Sequence, residues 1–490
     1  MRILFLNPQG NFDNNDSYWT EHPDFGGQLV YVKEIASNIA RLGHRVDIVT
    51  RQFNDDKLIG FEKPIDYYDG VRGLRIIRIP AGPDRFIIKE ELWEYLHEWV
   101  DNIIQFYASE NSQFDFVTTH YGDGGLAGAL LQEKTGVPFS FTGHSLGAQK
   151  MDKLGIDKNN FESMMNRYQF HKRLLAERTA MLGASVIFTS TSQERDEQYR
   201  HQAYLGAGDY RNPERFVIAP PGANEEVFHR KNKNDIEDSV YAMLDKTLER
   251  DIDSDRLSLP YILSASRLDP KKNHIGFLKA YAESQALQEV ANVAISLRGV
   301  ENAFDHYQNL KPQEQTIMHE LFKLINDYSL KGKVTFINID SQKALAASYR
   351  YFAQKHSIFT LTALYEPFGL APIEAMCAGL PVAVTKYGGP HDVLKDDEGS
   401  YGVLLDVTDT ELIAKGLIQA FKHYEYYQKQ GLYRVKTAYT WENTARLYIQ
   451  AMEDVLKNPL KTPLKIHPYF KNPITEQLVP NSIKELYFNQ

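Results

Sequence analysis

Glu366-Pro367-Phe368-Gly369-Leu370-Ala371-Pro372-Ile373-Glu374, continuing as Ala375-Met376-Cys377-Ala378-Gly379-Leu380-Pro381-Val382-Ala383-Val384, decides how this chain is built. It sets two carboxylates eight positions apart across a Pro/Gly loop that opens a helix. The apolar run Pro381–Val384 reads as a buried strand after a glycine-capped helix end. Upstream, Ser357-Ile358-Phe359-Thr360-Leu361-Thr362-Ala363 is apolar and β-prone, so it reads as an interior strand. Glu366 then falls just past the carboxyl end of that strand, where open α/β sheets place ligands. A helix start offers free N–H groups and a positive dipole end, which suit a phosphate. A carboxylate on each side can grip two hydroxyl-bearing rings. A nucleotide-sugar needs such a site. Paired Glu residues are more commonly solvated surface charges; the strand directly upstream argues against that here.

Outward from this stretch the same alternation recurs. Tyr261–Ala265, Ala294–Arg298, Lys333–Ile337, Ile358–Thr362 and Pro381–Thr385 read as strands of the second half. Ile3–Leu6, Val46–Thr50, Leu74–Ile79, Phe116–Thr119, Phe139–Thr142, Val186–Ser190 and Phe216–Ala219 do so in the first. Amphipathic segments such as Gln28–Leu42, Glu90–Glu110 and Arg167–Leu182 separate them, which implies βα units and mostly parallel sheets. The expected joint lies near Pro220-Pro221-Gly222. Residues Asn232–Leu259 read as a solvated helix opening the second domain. A helix is expected over Glu442–Leu456. The last thirty or so residues carry Pro459, Pro463, Pro468, Pro473 and Pro480 and read as an irregular strap or a mobile tail.

The bulk numbers set bounds. A chain of 490 residues exceeds one ordinary core. Its 43% hydrophobic and 24% charged content is that of a soluble globular protein, and no apolar stretch is long enough to span a bilayer. Met1–Leu6 reads as a strand rather than a signal peptide. The single cysteine, Cys377, excludes an internal disulfide framework and fits a reducing cytoplasm. It lies among small apolar residues, as a packed hydrophobe does. A net charge of −9 argues against nucleic acid or an anionic membrane as the partner. Anionic substrates must then be met by local Lys and Arg clusters. Asp251-Ile252-Asp253-Ser254-Asp255 superficially resembles an Asp-x-Asp metal motif, but it follows a charged helical stretch and reads as a solvated turn. No closely spaced His/Cys cluster suggests zinc.

Several further residues stand where chemistry could use them. Gly26-Gly27-Gln28 leads into a helix after an unusually long connection, Pro8–Phe25, and long loops in compact domains are usually functional. Glycines there let backbone approach an anion at the helix N-terminus. Arg267 and Lys272, five residues apart on a loop after a strand, could neutralise a diphosphate as charge builds on it. His144 sits in a Gly-His-Ser turn after a strand end. A lone His is more often structural, but the flanking glycine and the loop position favour function.

The E-x7-E pattern with A-x-G-x-P-V resembles the donor-site signature of retaining GT-B glycosyltransferases of family 4. Ser266-Arg267-Leu268-Asp269-Pro270-Lys271-Lys272-Asn273 resembles that family's basic diphosphate clamp. Leu6–Phe12, Asp24-Phe25-Gly26-Gly27-Gln28, His120-Tyr121-Gly122-Asp123-Gly124 and Thr142-Gly143-His144-Ser145-Leu146-Gly147 narrow the likeness to the sucrose-phosphate synthases, over about residues 1–455.

The resemblance implies an α/β GT-B fold: two facing Rossmann-like domains with parallel sheets and a C-terminal helix returning to the first. The expected domains are 1–222, joined by 441–490, for the acceptor, and 223–440 for the donor. It implies catalytic roles for His144, Glu366, Arg267 and Lys272, His144 contributing its main-chain carbonyl to a developing cationic ring carbon. The donor would be held by Gly27, Arg267, Lys272, Glu366, Phe368, Gly369, Leu370, Ala371 and Glu374, with Glu374 on the ribose and Asn338–Leu345 near the base. The acceptor would be held by Gly26, Gln28, Lys89, Lys150 and Arg173, the three cations meeting a 6-phosphate.

The activity implied is transfer of glucose from UDP-glucose to fructose 6-phosphate, giving sucrose 6-phosphate and UDP. A downstream sucrose-phosphate phosphatase is the implied partner. No cofactor or metal is required by these residues, and Mg2+ stimulation stays open. The rivals are a mannosylfructose-phosphate synthase using GDP-mannose, a sucrose synthase-like transfer to free fructose, a nucleotide-sugar epimerase, and a non-catalytic sugar-phosphate-binding GT-B protein. The loop Tyr387-Gly388-Gly389-Pro390 is a candidate reader of the donor sugar.

Overall fold

The computed structural model describes residues 1–19, 25–208, 213–459 and 464–488. Asp24 of the Asp24–Gln28 motif and Pro463 of the tail lie outside the described residues. The chain forms two compact units, Met1–Pro220 with Thr444–Gln490, and Pro221–Asn443.

In the first unit the apolar runs form β1 (Arg2–Leu6), β2 (Arg45–Gln52), β3 (Ile65–Asp66), β4 (Leu74–Pro80), β5 (Phe116–His120), β6 (Phe139–Thr142), β7 (Val186–Thr189) and β8 (Phe216–Ile218). They order as β3-β4-β2-β1-β5-β6-β7-β8. Every pairing is parallel except the short β3 against β4. Phe5 pairs with Ile48 on one side and Thr118 on the other. Ile3, Leu4, Phe5 and Leu6 are wholly buried, as expected of a parallel sheet covered on both faces. Strand order reverses between β1 and β5, so the loops after these two strands flank the crevice where such sheets bind ligands.

The second unit repeats the plan with β9 (Tyr261–Ser264), β10 (Asn292–Leu297), β11 (Val334–Asn338), β12 (Ile358–Leu361), β13 (Val382–Thr385), a small hairpin of β14 (Lys395–Asp396) and β15 (Gly399–Ser400), and β16 (Val403–Leu405). The sheet is wholly parallel, β11-β10-β9-β12-β13-β16, and reverses between β9 and β12. The edge strands β3 and β16 are short and carry no alternation that sequence reading could use.

The last long helix, Trp441–Lys457, returns to the first unit, as the GT-B fold requires. Tyr448 stacks on Phe188 at 3.6 Å between ring centroids, and its hydroxyl lies 3.1 Å from that of Tyr31 and 3.0 Å from Oγ1 of Thr142. Beyond it, Ile466, Tyr469, Phe470, Leu478 and Ile483 are buried in the first unit's core, so the proline-rich tail is a strap.

Four local readings need correction. Glu90–Glu110 is two helices, Lys89–Leu92 and Leu96–Ser109. Trp93 and Tyr95 both pack inward, and residues two apart cannot share one helix face. Arg167–Leu182 is likewise broken, into Phe161–Tyr168 and Phe170–Gly183, by Gln169 at φ 51°. The break lets Tyr168 and Phe170 line one cavity. The Asn232–Leu259 segment holds a helix over Glu237–Asp251 that is not simply solvated: Val240, Leu244 and Leu248 make a buried stripe at helical spacing. Asp251 is also not a solvated turn. It accepts from Thr335 Oγ1 at 2.7 Å and pairs with Arg250 at 2.6 Å.

Candidate active site

In the second unit the site residues follow the two strands at the reversal. The loop after β9 carries Arg267, whose side chain is exposed, and then Asp269, which accepts from the Lys271 amide at 2.9 Å and tightens the turn. His274 Nε2 lies 3.2 Å from the Arg267 carbonyl oxygen and fixes the loop from below; burial pushes its imidazole down to about 4. The loop after β12 is laced to this one. Leu364 N–H donates to the Lys271 carbonyl at 2.9 Å, and the Lys272 ammonium donates to Glu366 Oε2 at 2.6 Å. Glu366 is thus held by a cation at its side chain and by the third loop at its backbone. Its N–H donates to Tyr387 at 3.0 Å and its carbonyl accepts from Gly389 at 2.9 Å. At Gly388 a Cβ would lie 2.0 Å from the Glu366 carbonyl oxygen, so only glycine fits. The Tyr387–Pro390 loop is therefore a structural support of Glu366.

Gly369, at φ 97°, starts the helix Leu370–Cys377. It supplies no capping side chain, and the first turn of a helix leaves its N–H groups without internal partners. Those free amides and the dipole end make an anion seat beside Glu366. Glu374 is the fifth helical residue, past the first turn, so it is not placed as a charge on the helix dipole. Its carboxylate has no hydrogen bond or ion pair among the described residues, and burial pushes it up to about 8. Cys377 is buried and its thiol is pushed up to about 12. Asn338, at the end of β11, accepts from the Gly299 amide at 2.8 Å.

In the first unit Gly26, Gly27, Gln28, Lys89, Lys150 and Arg173 line one cavity of about 240 Å³. Four separate stretches of chain deliver them. A Cβ at Gly26 or Gly27 would meet nothing within 4 Å, so no internal contact demands glycine there; open space beside the backbone does suit a ligand. Lys150 rides on the helix Gly147–Lys153 and Arg173 on Phe170–Gly183. Glu177 ties these helices together. Buried completely, it accepts from the Gly147 amide at 3.0 Å and from Arg173 Nε at 2.8 Å, and the Tyr204 hydroxyl donates to it. Tyr204 in turn accepts from the Ala148 amide at 3.1 Å.

His144 does not line this cavity; it stands in an aromatic cluster at its side. Its Nε2 lies 2.9 Å from His120 Nδ1, and its ring meets Tyr31 edge-on at 4.8 Å and Tyr121 at 5.5 Å. Burial pushes the His144 imidazole down to about 3, so it is neutral at working pH. His144 (φ 55°) and Tyr121 (φ 61°) both hold left-handed backbone that non-glycine residues avoid, a strain that sites tend to store. Sequence reading gave no role to His120, Tyr121, Asp123, Glu177 or Tyr204. His120, Tyr121 and Asp123 stood in a motif that carried the family likeness without a role, and Glu177 left only its i+4 spacing from Arg173.

Residues 26–205 match the glycosyl transferase 4-like domain family, and residues 245–436 the glycosyl transferases group 1 family. A probable sucrose-phosphate synthase of Thermosipho melanesiensis is 42% identical over 453 residues, covering 92% of this chain and 96% of that one. A probable sucrose-phosphate synthase of Vicia faba is 30% identical over 87% of the chain, which spans 45% of that longer protein. Among solved structures, a sucrose-phosphate synthase from Thermosynechococcus elongatus superposes with a TM-score of 0.62 at 20% identity, covering 93% of this chain and 99% of that one. The Anabaena protein HepE, solved with UDP and glucose, does so with a TM-score of 0.53 at 15% identity, covering 92% and 99%.

Proposed function

The chain belongs to the sucrose-phosphate synthase family of GT-B glycosyltransferases, and from that premise we propose that it moves glucose from UDP-glucose onto fructose 6-phosphate with retention. The observation that carries this reading is the cavity that collects Lys89, Lys150 and Arg173 beside a glycine-rich helix start. Three cations in one pocket suit a phosphorylated acceptor, and free fructose would give them nothing to bind.

The residues of the second unit supply the donor chemistry. The free amides at Gly369–Ala371, with Lys272 and Arg267, take the diphosphate and offset its charge as the bond from the glucose anomeric carbon to phosphate oxygen breaks. Glu366, already oriented by Lys272, accepts hydroxyls of the transferred glucose. Glu374 accepts the ribose hydroxyls. The anomeric hydroxyl of fructose 6-phosphate attacks on the face the phosphate leaves, and its proton passes to the leaving phosphate oxygen. The new bond joins the anomeric oxygen of fructose 6-phosphate to the glucose carbon, and UDP departs. Neutral His144 serves here as neither acid nor nucleophile; its part is to contact the glucose and offer its carbonyl to the developing positive ring.

The test is UDP release from UDP-glucose with and without fructose 6-phosphate, alongside GDP-mannose and free fructose. Release that needs UDP-glucose and fructose 6-phosphate together is expected. Preference for GDP-mannose would replace the donor, and release with free fructose would replace the acceptor. Turnover without any acceptor would point to hydrolysis or epimerisation, and silence with every pair to a binding protein.

A further inference from the structure

The cavity in the first unit contains a group that a phosphate site does not need. Asp123, in the first turn of the helix Tyr121–Thr135, lines the same cavity as Lys89, Lys150 and Arg173 and is only 8% exposed. Its hydrogen-bond partners among the described residues are main-chain amides, its own and that of Gly124. Neither Arg173 nor Lys89 pairs with it, although the field of both reaches it. Arg173 is instead committed to Glu177 and to the Ser145 carbonyl. Glu90 also lines the cavity but is less buried than Asp123. A carboxylate facing a bound phosphate across so small a space repels it, and burial already pushes this carboxyl up to about 6. A carboxylate is acceptor-only, and sugar hydroxyls are the donors that a phosphorylated sugar brings and bare phosphate lacks.

We propose that Asp123 is a specificity-determining residue of the acceptor site, accepting a hydroxyl hydrogen of the sugar so that the cavity takes a sugar phosphate in preference to inorganic phosphate. The proposal rests on the acceptor reading given above. The cations supply attraction for any phosphate, while Asp123 taxes that attraction and returns it only when a hydroxyl meets it. A simpler role, a carboxylate placed on the helix dipole, would account for its position in the first turn. It would not account for a carboxylate that lines the cavity beside cations without an ion pair among the described residues.

Calorimetric titration of the full chain with fructose 6-phosphate and with inorganic phosphate separates the two roles, run on the wild type, Asp123→Asn and Asp123→Ala. A hydrogen bond to a charged group lost in this way weakens sugar-phosphate binding about ten- to a hundredfold. The expected result is that weakening in both variants, with phosphate binding unchanged or tighter and the thermal midpoint held in at least Asp123→Asn. Affinities that fall together, or that do not move, would overturn the proposal, as would a wild type that binds both ligands equally. A wild type that discriminates between them but releases no UDP with fructose 6-phosphate would sink the parent reading while leaving Asp123's role standing.

Discussion

At the scale of single residues, the two carboxylates of the opening motif have unlike environments. Glu366 is paired with Lys272 at 2.6 Å, whereas Glu374 has no hydrogen bond or ion pair among the described residues and burial raises its carboxyl from 4.5 to about 8. A raised carboxyl means that the folded chain holds a proton the unfolded chain has lost, over the window from about 4.5 to about 8. Stability therefore falls as pH rises through that window, and Glu374→Gln should flatten the slope in denaturant titrations at successive pH values. If Glu374 meets the ribose hydroxyls as proposed, the ionised form serves better, so UDP affinity should tighten as pH climbs through about 8, with the trend lost in Glu374→Gln. Lys272→Ala removes the partner that orients Glu366 and, on the proposed reading, a cation beside the leaving diphosphate. A drop in kcat of about a hundred- to a thousandfold is expected from steady-state UDP release. Glu366, Lys272 and Arg267 were legible in the sequence because each lies one short loop from a strong strand signal, and Glu374 because it follows Glu366 across a Pro/Gly helix start.

Elements bring together the cations of the first unit's cavity, which no one short motif contains. Lys150 and Arg173 sit on different helices, and what makes them one site is Glu177, which holds the start of Gly147–Lys153 and the guanidinium of Arg173 at once. Glu177→Gln keeps the shape but leaves Arg173 without its counter-charge and one helix start less well held. KM for fructose 6-phosphate should rise at least tenfold with a smaller change in kcat, and Glu177→Asp should restore less than half of the loss because the shorter chain cannot reach both helices. A fall in kcat with KM unchanged would refute the positioning role. Sequence could show Arg173 and Glu177 as an i,i+4 pair of the kind that is usually a surface ornament; their burial came from packing against Tyr204 and Gly147. The break at Gln169 was equally invisible, since a left-handed residue inside an amphipathic run leaves its periodicity intact.

Across the whole molecule, the strap from Leu464 to Phe488 is part of the first unit's core. Its five buried anchors, Ile466, Tyr469, Phe470, Leu478 and Ile483, pack among Phe161, Phe170, Leu174 and Trp93, the last lining the same cavity as Lys89, Lys150 and Arg173. Full burial of one large apolar side chain stabilises by about 1.5–3 kcal/mol, so together they rival the total stability of a domain, about 5–15 kcal/mol. A chain ended at Pro459 should therefore lose the first unit's protection in hydrogen exchange and in limited proteolysis, while residues 221–443 keep theirs. The sequence by itself determined the doubly wound class, the positions of all strands but β3 and β14–β16 to within a residue or two, and the segments that carry Arg267, Lys272, Glu366 and Glu374. Those rest on local signals: apolar runs, glycine stops, and spacing along one loop. Only the tertiary structure decided that Lys89, Lys150 and Arg173 share a cavity with Asp123, that Glu177 binds their helices, and that the proline-rich tail is core. Each of these depends on contacts between residues far apart in the chain, whose free energy comes from burial that no local pattern records.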